Sequence, residues 1–356
     1  MVRLALIFGG RSAEHEISLA SAGFVASMLD RSRYHVIPVG ITRDGRWVRP
    51  RDLESALAGE LDEAASDPVH LVVDPSCPGL SLPDGSFEPL DFAFPIMHGT
   101  FAEDGTIQGQ LEMAGLAYAG SGVVASSVGM DKEMMKAVFA SAGLPQVPYL
   151  VLRDGDATGP GAVAAVEDGL PYPVFVKPAN LGSSVGMTKA HDRDELGPAL
   201  ELAAAYDRKV VVEAASTGRE LECSLLGNEE PVASVAGEVM PANEFYDYEA
   251  KYTEGKMAFT IPAPVGPGTQ DETQALAVAA FKAIDAAGFA RCDFFYEEQR
   301  GRVLLNEINT IPGMTAMSGF PRLWAASGVD GPELVERIVQ LGLQRHAARS
   351  RLRTRQ

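Results

Sequence analysis

Residues 4–8 are an unbroken apolar run, the pattern of a strand buried on both faces, and Gly9-Gly10 follows it. Residues 17–29 then repeat apolar positions at helical spacing. Strand, glycine turn and helix in that order open a parallel α/β sheet. Residues 34–40 and 92–96 predict further strands, and 105–115 a helix. Between them, 55–65 is weakly helical and 75–89 reads as a Pro/Gly/Ser loop. A helix over 131–142, stopped by Gly143 and Pro145, starts a second block, with the boundary near 122–129. Its strands are 149–152, 174–178 and 209–213, and 214–218 reads as a hinge into the strand 219–226. The polar and aromatic stretch 243–255 has the length of a lid. A helix is expected over 269–287, with Thr269 as N-cap and Gly288 past its end. A hairpin turning at 299–301 pairs 291–296 with the strand that begins at 303, and 331–343 closes the chain as a helix. The arginine-rich end, from Arg345 onward, is expected as a frayed basic tail.

Composition narrows the functional classes. A chain of 356 residues has room for two or three domains. The net charge of −18 argues against nucleic acid and against an anionic membrane surface. No apolar run reaches the length of a membrane span, and the N-terminus lacks a signal-peptide pattern. Cys77, Cys223 and Cys292 are widely spaced, which suits reduced thiols in a cytoplasmic protein.

The candidate chemistry converges on residues 303–318. Glu307 and Asn309 are two apart on a strand and so share a face. The hairpin register lays Asp293 across from Glu307, with Arg291 beside them. Two carboxylates and a carboxamide form an all-oxygen set suited to Mg²⁺, or else a solvated sheet face. Lys177 ends a buried strand and needs an anion nearby. The Gly/Ser turn that follows, 180–186, is a phosphate-binding flap or a plain turn; it is not a P-loop. Glu14 and His98 lie beyond the carboxyl ends of strands, where ligands sit in open α/β sheets. Glu14 equally suits a helix N-terminus, and His98 a loop surface.

Seven motifs in order make the pattern specific: GGRSAEHEIS (9–18), HGTFAEDGTIQG (98–109), GSGVVASSVGMDK (120–132), FVKPANLGSSVGM (175–187), YDYEAKY (246–252), RCDFF (291–295) and NEINTIPGMT (306–315). Together they resemble the D-alanine–D-alanine ligases of the ATP-grasp superfamily, over roughly residues 3–340. The resemblance implies an α/β, three-domain ATP-grasp fold with an N-terminal open parallel sheet. It divides the chain at 1–122 (first D-alanine site), 123–216 (central), 217–345 (C-terminal, with lid and metal site) and 346–356, a disordered tail. It implies a cytoplasmic homodimer that ligates two D-alanines for peptidoglycan precursors, with ATP, two Mg²⁺ or Mn²⁺, and no nucleic-acid or membrane partner. Lys132, Lys177, Ser184, Glu213, Ala215, Glu220 and Lys251 would bind ATP, the lysines at its phosphates and Glu220 at its ribose. Asp293, Glu307 and Asn309 would hold the metals. Glu14 would take the ammonium of the first D-alanine, with His98 near its carboxylate, and Ser183 and Tyr252 would bridge to Glu14. Arg291 and the Gly313 amide would stabilise an oxyanion. Ser318 and Gly319 would face the second D-alanine.

Two positions depart from the family pattern. Ala102 stands where glycine is usual, and Gly319 where a larger apolar residue is usual; the second would loosen the wall of the second amino-acid pocket. A relative that joins D-alanine to D-lactate or D-serine, another ATP-grasp carboxylate–amine ligase, and a nucleotide-binding regulatory protein with a degenerate site are the competing readings. The EAKY sequence in 243–255 favours an amine acceptor, and the presence of Asp293, Glu307 and Lys177 speaks against a degenerate site.

Overall fold

The structure, a computed structural model, describes residues 1–57, 61, 66–241 and 257–352. Its first sheet holds β1 (Val2–Gly9), β2 (Tyr34–Ile41), β3 (Trp47–Pro50) and β4 (Ser66–Pro68). After a small three-stranded sheet of β5 (His70–Val72), β6 (Gly79–Ser81) and β7 (Phe87–Pro89), the chain returns to it with β8 (Phe92–Pro95) and β9 (Ala117–Tyr118). The order is β4-β3-β2-β1-β8-β9, with β1 parallel to both neighbours: Leu4 faces Val36 on one side and Phe92 on the other. The helices α1 (His15–Met28), α2 (Leu53–Leu57) and α3 (Thr106–Met113) complete this unit. The chain leaves β1 and β8 in different directions across the sheet, and that split opens a crevice beyond their carboxyl ends.

Alternation along β1 explains its two-sided burial. Leu4, Leu6 and Phe8 pack in one core and Ala5 and Ile7 in another. The segment 75–89, expected as a loop, carries β6 and β7; their pairing is short and interrupted by turns at Pro83 to Gly85, so no hydrophobic alternation develops.

The helices α4 (Val123–Met130) and α5 (Lys132–Ser141) lead to the second sheet. Asp131 caps α5, its carboxylate accepting the N–H groups of Glu133 and Met134. The boundary expected near 122–129 is therefore itself helical. The antiparallel second sheet has the order β10 (Tyr149–Arg153), β13 (Lys209–Ala214), β11 (Val174–Pro178), β12 (Thr188–Ala190). It packs on α6 (Ala162–Gly169) and α7 (Arg193–Tyr206) through Val174, Val176, Val210, Val212, Leu196 and Leu200.

The third sheet runs β17 (Met257–Thr260), β16 (Gly237–Pro241), β14 (Arg219–Gly227), β18 (Gly288–Glu297), β19 (Arg302–Asn309), with β15 (Val232–Ala233) on β14. The expected hairpin register holds: Asp293 pairs with Glu307 and Arg291 with Asn309. A bulge follows, Phe294 facing Leu305, so Asn306 is the extra residue.

The last three helices are α8 (Pro267–Ala283), α9 (Gly319–Ala326) and α10 (Gly331–Ser350). The ends of α8 differ from expectation. Gly266 is the N-cap and Pro267 opens the helix, where its missing N–H costs nothing. At the other end Asp285 follows the C-cap Ile284 and is left-handed at φ +59°, and the Ala286 N–H reaches back to Phe281 O; Gly288, left-handed as well at φ +77°, stands beyond the helix as the first residue of β18. The expected tail also differs: α10 runs on to Ser350. Arg345 stacks on the Tyr118 ring at 4.1 Å, and Arg349 pairs with Glu112. Leu334, Val335, Ile338 and Val339 of α10 join the core of the first sheet.

Candidate active site

Loops from the three larger sheets meet in one place. At the end of β1, Gly9 has φ +89°, and a Cβ there would lie 2.2 Å from Ile41 O, so only glycine fits the turn. Ser18 Oγ accepts the Gly9 N–H at 2.8 Å and donates to Ile96 O at 2.6 Å, tying β1 to the end of β8. Glu14 sits at the start of α1, and Ser183, from the Gly/Ser turn after β11, donates its hydroxyl to Glu14 Oε1 across 169 residues of chain. That turn is unusual: Val185 N donates to Gly182 O, and both central residues, Ser183 and Ser184, are left-handed at φ +50° and +59°. Two serines in that region carry backbone strain of about 1–3 kcal/mol each. Lys132, the first residue of α5, holds the same loop by donating to Leu181 O at 2.7 Å. Ala215, at the end of β13, donates its N–H to Pro173 O at 3.0 Å.

His98, at the end of β8, is 4% exposed, and protein groups hold both ring nitrogens. Nδ1 lies 3.0 Å from Ile311 O, and Nε2 lies 3.1 Å from Ser21 Oγ, which also accepts the Met314 N–H. A carbonyl can only accept, so Nδ1 carries the proton and Nε2 accepts from Ser21. Burial keeps the ring neutral by pulling it below its ordinary value of 6.5. His98 is thus a strut between α1 and the segment after β19 rather than the solvent-facing loop histidine that sequence allowed. Gly99 follows at φ +73°, where a Cβ would approach Glu14 Oε2 to 2.9 Å. Its N–H donates to Glu103. Burial pushes the Glu103 carboxyl up to about 8, and the charge of Glu14 adds to the rise while Arg291 opposes it.

On the opposite wall, Glu213 of β13 lies between two lysines. Lys177 Nζ reaches it at 2.8 Å and Lys136 Nζ at 3.0 Å, all three buried. Burial opposes ionisation of Glu213, but the two lysines overcome it and hold the carboxyl down at about 2. Burial pulls Lys136 down; in Lys177 burial is the largest single effect and lowers it, but the attraction and hydrogen bond of Glu213 with the charges of Glu307 and Glu220 together raise it. Two cations against one anion leave a net positive charge on this wall. The charges of Glu220 and Glu307 act on Lys177, which places all of them in one neighbourhood.

The β18–β19 hairpin supplies the floor. Arg291 grips Asp293 with two bonds of 2.6 and 2.7 Å, and Asn309 Nδ2 reaches Asp293 Oδ2 at 3.2 Å. Asp293, Glu307 and Asn309 are partly exposed, while Cys292 and Ile308 between them are buried. The oxygens of the three fit a hard divalent cation. Among the described residues no cluster of three or more His, Cys, Asp or Glu has metal-holding geometry; here the third donor is an amide. Beyond β19, Ser318 Oγ accepts the Thr315 N–H at 3.0 Å and would sit 3.1 Å from a Cβ on Gly313. Gly319 follows as the first residue of α9.

Two family models match end to end, the D-ala D-ala ligase N-terminus over residues 3–121 and the D-ala D-ala ligase C-terminus over 138–340. The chain belongs to the D-alanine–D-alanine ligase family. It is 46% identical to the D-alanine–D-alanine ligase of Heliobacterium modesticaldum, over 98% of this chain and 96% of that one. Identity to the ligase of Acetivibrio thermocellus is 44%, over 97% and 96%. Among solved structures it is similar to the VanG D-Ala:D-Ser ligase of Enterococcus faecalis (TM-score 0.88, 32% identity, 96% and 99% covered) and the D-alanine–D-alanine ligase of Coxiella burnetii (TM-score 0.87, 34%, 98% and 97%). The three sheets are those of an ATP-grasp ligase, and the family's reaction feeds peptidoglycan precursor synthesis. No helix of the described residues is long and apolar enough to cross a membrane.

Within this ligase the structure brings together Glu14, Ser183, His98, Arg291, Asp293, Glu307 and Asn309. Tyr252, Lys251 and the stretch 243–255 lie outside the described residues. Sequence reasoning missed Ser18, Ser21, Glu103 and Lys136. Ser18 and Ser21 are three apart on the buried face of α1, and Lys136 is one turn beyond Lys132; hydroxyls and amines at buried helical positions were the available signal.

Proposed function

We propose that this cleft activates a first D-alanine as its acyl phosphate with ATP and transfers it to the amine of a second D-alanine. The observation that carries the reading is the Ser183–Glu14 bond, which closes a glycine- and serine-rich flap over the crevice at β1, beside an oxygen donor set on β18 and β19. Glu14 takes the ammonium of the first substrate. Lys132 and Lys177 take phosphates, with Ser184 in the flap, and Glu213, Ala215, Glu220 and Lys251 line the nucleotide's side. The net charge of the Lys136–Glu213–Lys177 set favours an anion there without exposing an unpaired lysine. Asp293, Glu307 and Asn309 hold two Mg²⁺ or Mn²⁺, ions that neutralise phosphoryl oxygens when bound. Arg291 and the Gly313 amide face the oxyanion formed on attack, and Ser318 with Gly319 faces the second substrate. His98 serves by fixing the loop at Gly313 through Ile311 and Met314 rather than by touching a carboxylate. Tyr252 completes the latch on Glu14.

The same reading divides the chain at 122 and 216, while the last helix runs through 345 without a break. Each range holds its own sheet, which supports it, while α4, α5 and α10 pack across the divisions. We further propose a cytoplasmic homodimer, to be checked by sedimentation. The decisive assay is ADP release with product analysis across D-alanine, D-serine and D-lactate. D-Alanyl-D-alanine is expected as the main product; preferred formation of a mixed product would replace the acceptor assignment.

A further inference from the structure

The room left by Gly319 is occupied. A Cβ on Gly319 would lie 2.2 Å from Glu222 Oε2 and 3.3 Å from the Phe259 ring. Even a methyl group is therefore incompatible with Glu222 where it lies, and a larger apolar residue still more so. Glu222 is on β14, directly across from Asp293 on β18, which is directly across from Glu307 on β19. The three carboxylates form one row across the sheet. Arg291, two residues from Asp293 on the same face, stands between the first two: it grips Asp293 through two short bonds, and its Nε lies 3.5 Å from Glu222 Oε2. The first contact is a bidentate, charge-assisted pair; the second is an ion pair outside hydrogen-bond range.

Both oxygens of Asp293 accept from Arg291, and Oδ2 also accepts from Asn309. A cation bound at the remaining lone pair of Asp293 would lie close to the guanidinium charge, and that repulsion favours a shift of Arg291 away from the metal side. Withdrawal into a partly buried site without another acceptor would strand a charge. Glu222 supplies that acceptor, and it lies on the side of β18 away from β19, so the movement clears the Glu307 side.

We propose that Glu222 is a positioning residue that receives Arg291 when Asp293 turns to a metal ion, and that Gly319 is the residue that makes room for it. The inference rests on the metal reading of Asp293 given above.

The test is Mn²⁺ binding to the full chain with a fixed concentration of ADP, read from the EPR signal of the unbound ion, with Mn²⁺–ADP measured separately. Glu222→Gln should weaken binding about tenfold with Arg291 present, the size expected for one charge-assisted contact, and less than about twofold in an Arg291→Gln background. Glu222→Asp should restore most of the affinity. Gly319→Ala, which displaces the carboxylate without removing it, should weaken binding in the same direction and covers the case in which Glu222→Gln does not fold. Equal losses with and without Arg291 would mean that Glu222 acts only as a negative charge, and no loss would mean that it does nothing; either overturns the proposal. Asp293→Asn is the separate control: if it leaves Mn²⁺ affinity unchanged, the metal reading itself fails, whereas a loss there with none at Glu222 defeats the positioning role alone.

Discussion

Glu103 and His98 sit a few residues apart, and burial shifts them in opposite directions, the carboxyl up and the imidazole down, so that both are held toward the neutral state. Glu103 has its carboxyl raised to about 8, so the folded protein binds a proton there that the unfolded chain has released. Its contribution to stability is complete below the ordinary carboxylate range near 4.5 and declines as pH rises toward 8. Glu103→Gln should flatten that decline, visible as a smaller fall in melting temperature between pH 6 and 8. His98 has its value lowered, so the folded state excludes a proton the unfolded chain accepts. Its contribution holds above 6.5 and is lost as pH falls below it. His98→Gln, which keeps one donor and one acceptor, should weaken the acid-side loss, again read from melting temperature against pH. At Glu307, loss of charge alone is the probe: Glu307→Gln should abolish turnover at ordinary Mg²⁺ with melting temperature nearly unchanged, and near-normal activity would remove it from the metal set. The Asp293–Glu307 register was legible because a two-residue period leaves one choice of face. Lys136 was not, because a lysine on an amphipathic helix reads as solvated until the carboxylate it faces, 77 residues away, is placed beside it.

The elements were legible where their periodicity is long and their ends carry unambiguous signals. β1, α1, the β18–β19 hairpin and the core of α10 all stand where the hydrophobic pattern put them. The ends failed where two residues competed for one role. In α8 the glycine at 288 was the stronger C-terminal signal, but Gly288 is spent on the close approach of β18 to Gly120, whose Cα would lie 3.0 Å from a Cβ there. Asp285, next after the C-cap, became the left-handed residue that ends the helix. In α10 the arginines after 344 looked like a tail because their partners, Glu112 and Tyr118, belong to a distant part of the chain. That packing can be measured. Truncation after Leu343 should lower the melting temperature by about 1–3 °C, since it removes the Arg345–Tyr118 stack and the Arg349–Glu112 pair, worth roughly 1–2 kcal/mol together. Truncation after Leu352 should leave it unchanged. Equal melting temperatures for the two truncated chains would mean that the last turns of α10 carry no stability.

At the scale of the whole molecule, the site exists only where three sheets meet, and one bond tests that meeting directly. Glu14 belongs to the first sheet's crevice and Ser183 to the flap of the second, and their contact is side chain to side chain. A hydrogen bond to a charged partner contributes about 1.5–3 kcal/mol, roughly a ten- to hundredfold effect if it acts in the transition state. Ser183→Ala should therefore lower kcat/KM for D-alanine by about that factor. Because Ser183 also holds a strained left-handed turn, the single variant cannot separate the bond from the loop. A double-mutant cycle can. If Ser183 works through Glu14, then Ser183→Ala in a Glu14→Gln background should cost less than about threefold, because the partner it served is already neutral. If it works by shaping the flap alone, the two losses should multiply. Ser183→Gly relaxes the backbone and still lacks the hydroxyl, so the bond-based account expects it to be as poor as Ser183→Ala. Recovery of activity in Ser183→Gly would assign the residue to the shape of the turn and leave the flap without its anchor on the first sheet.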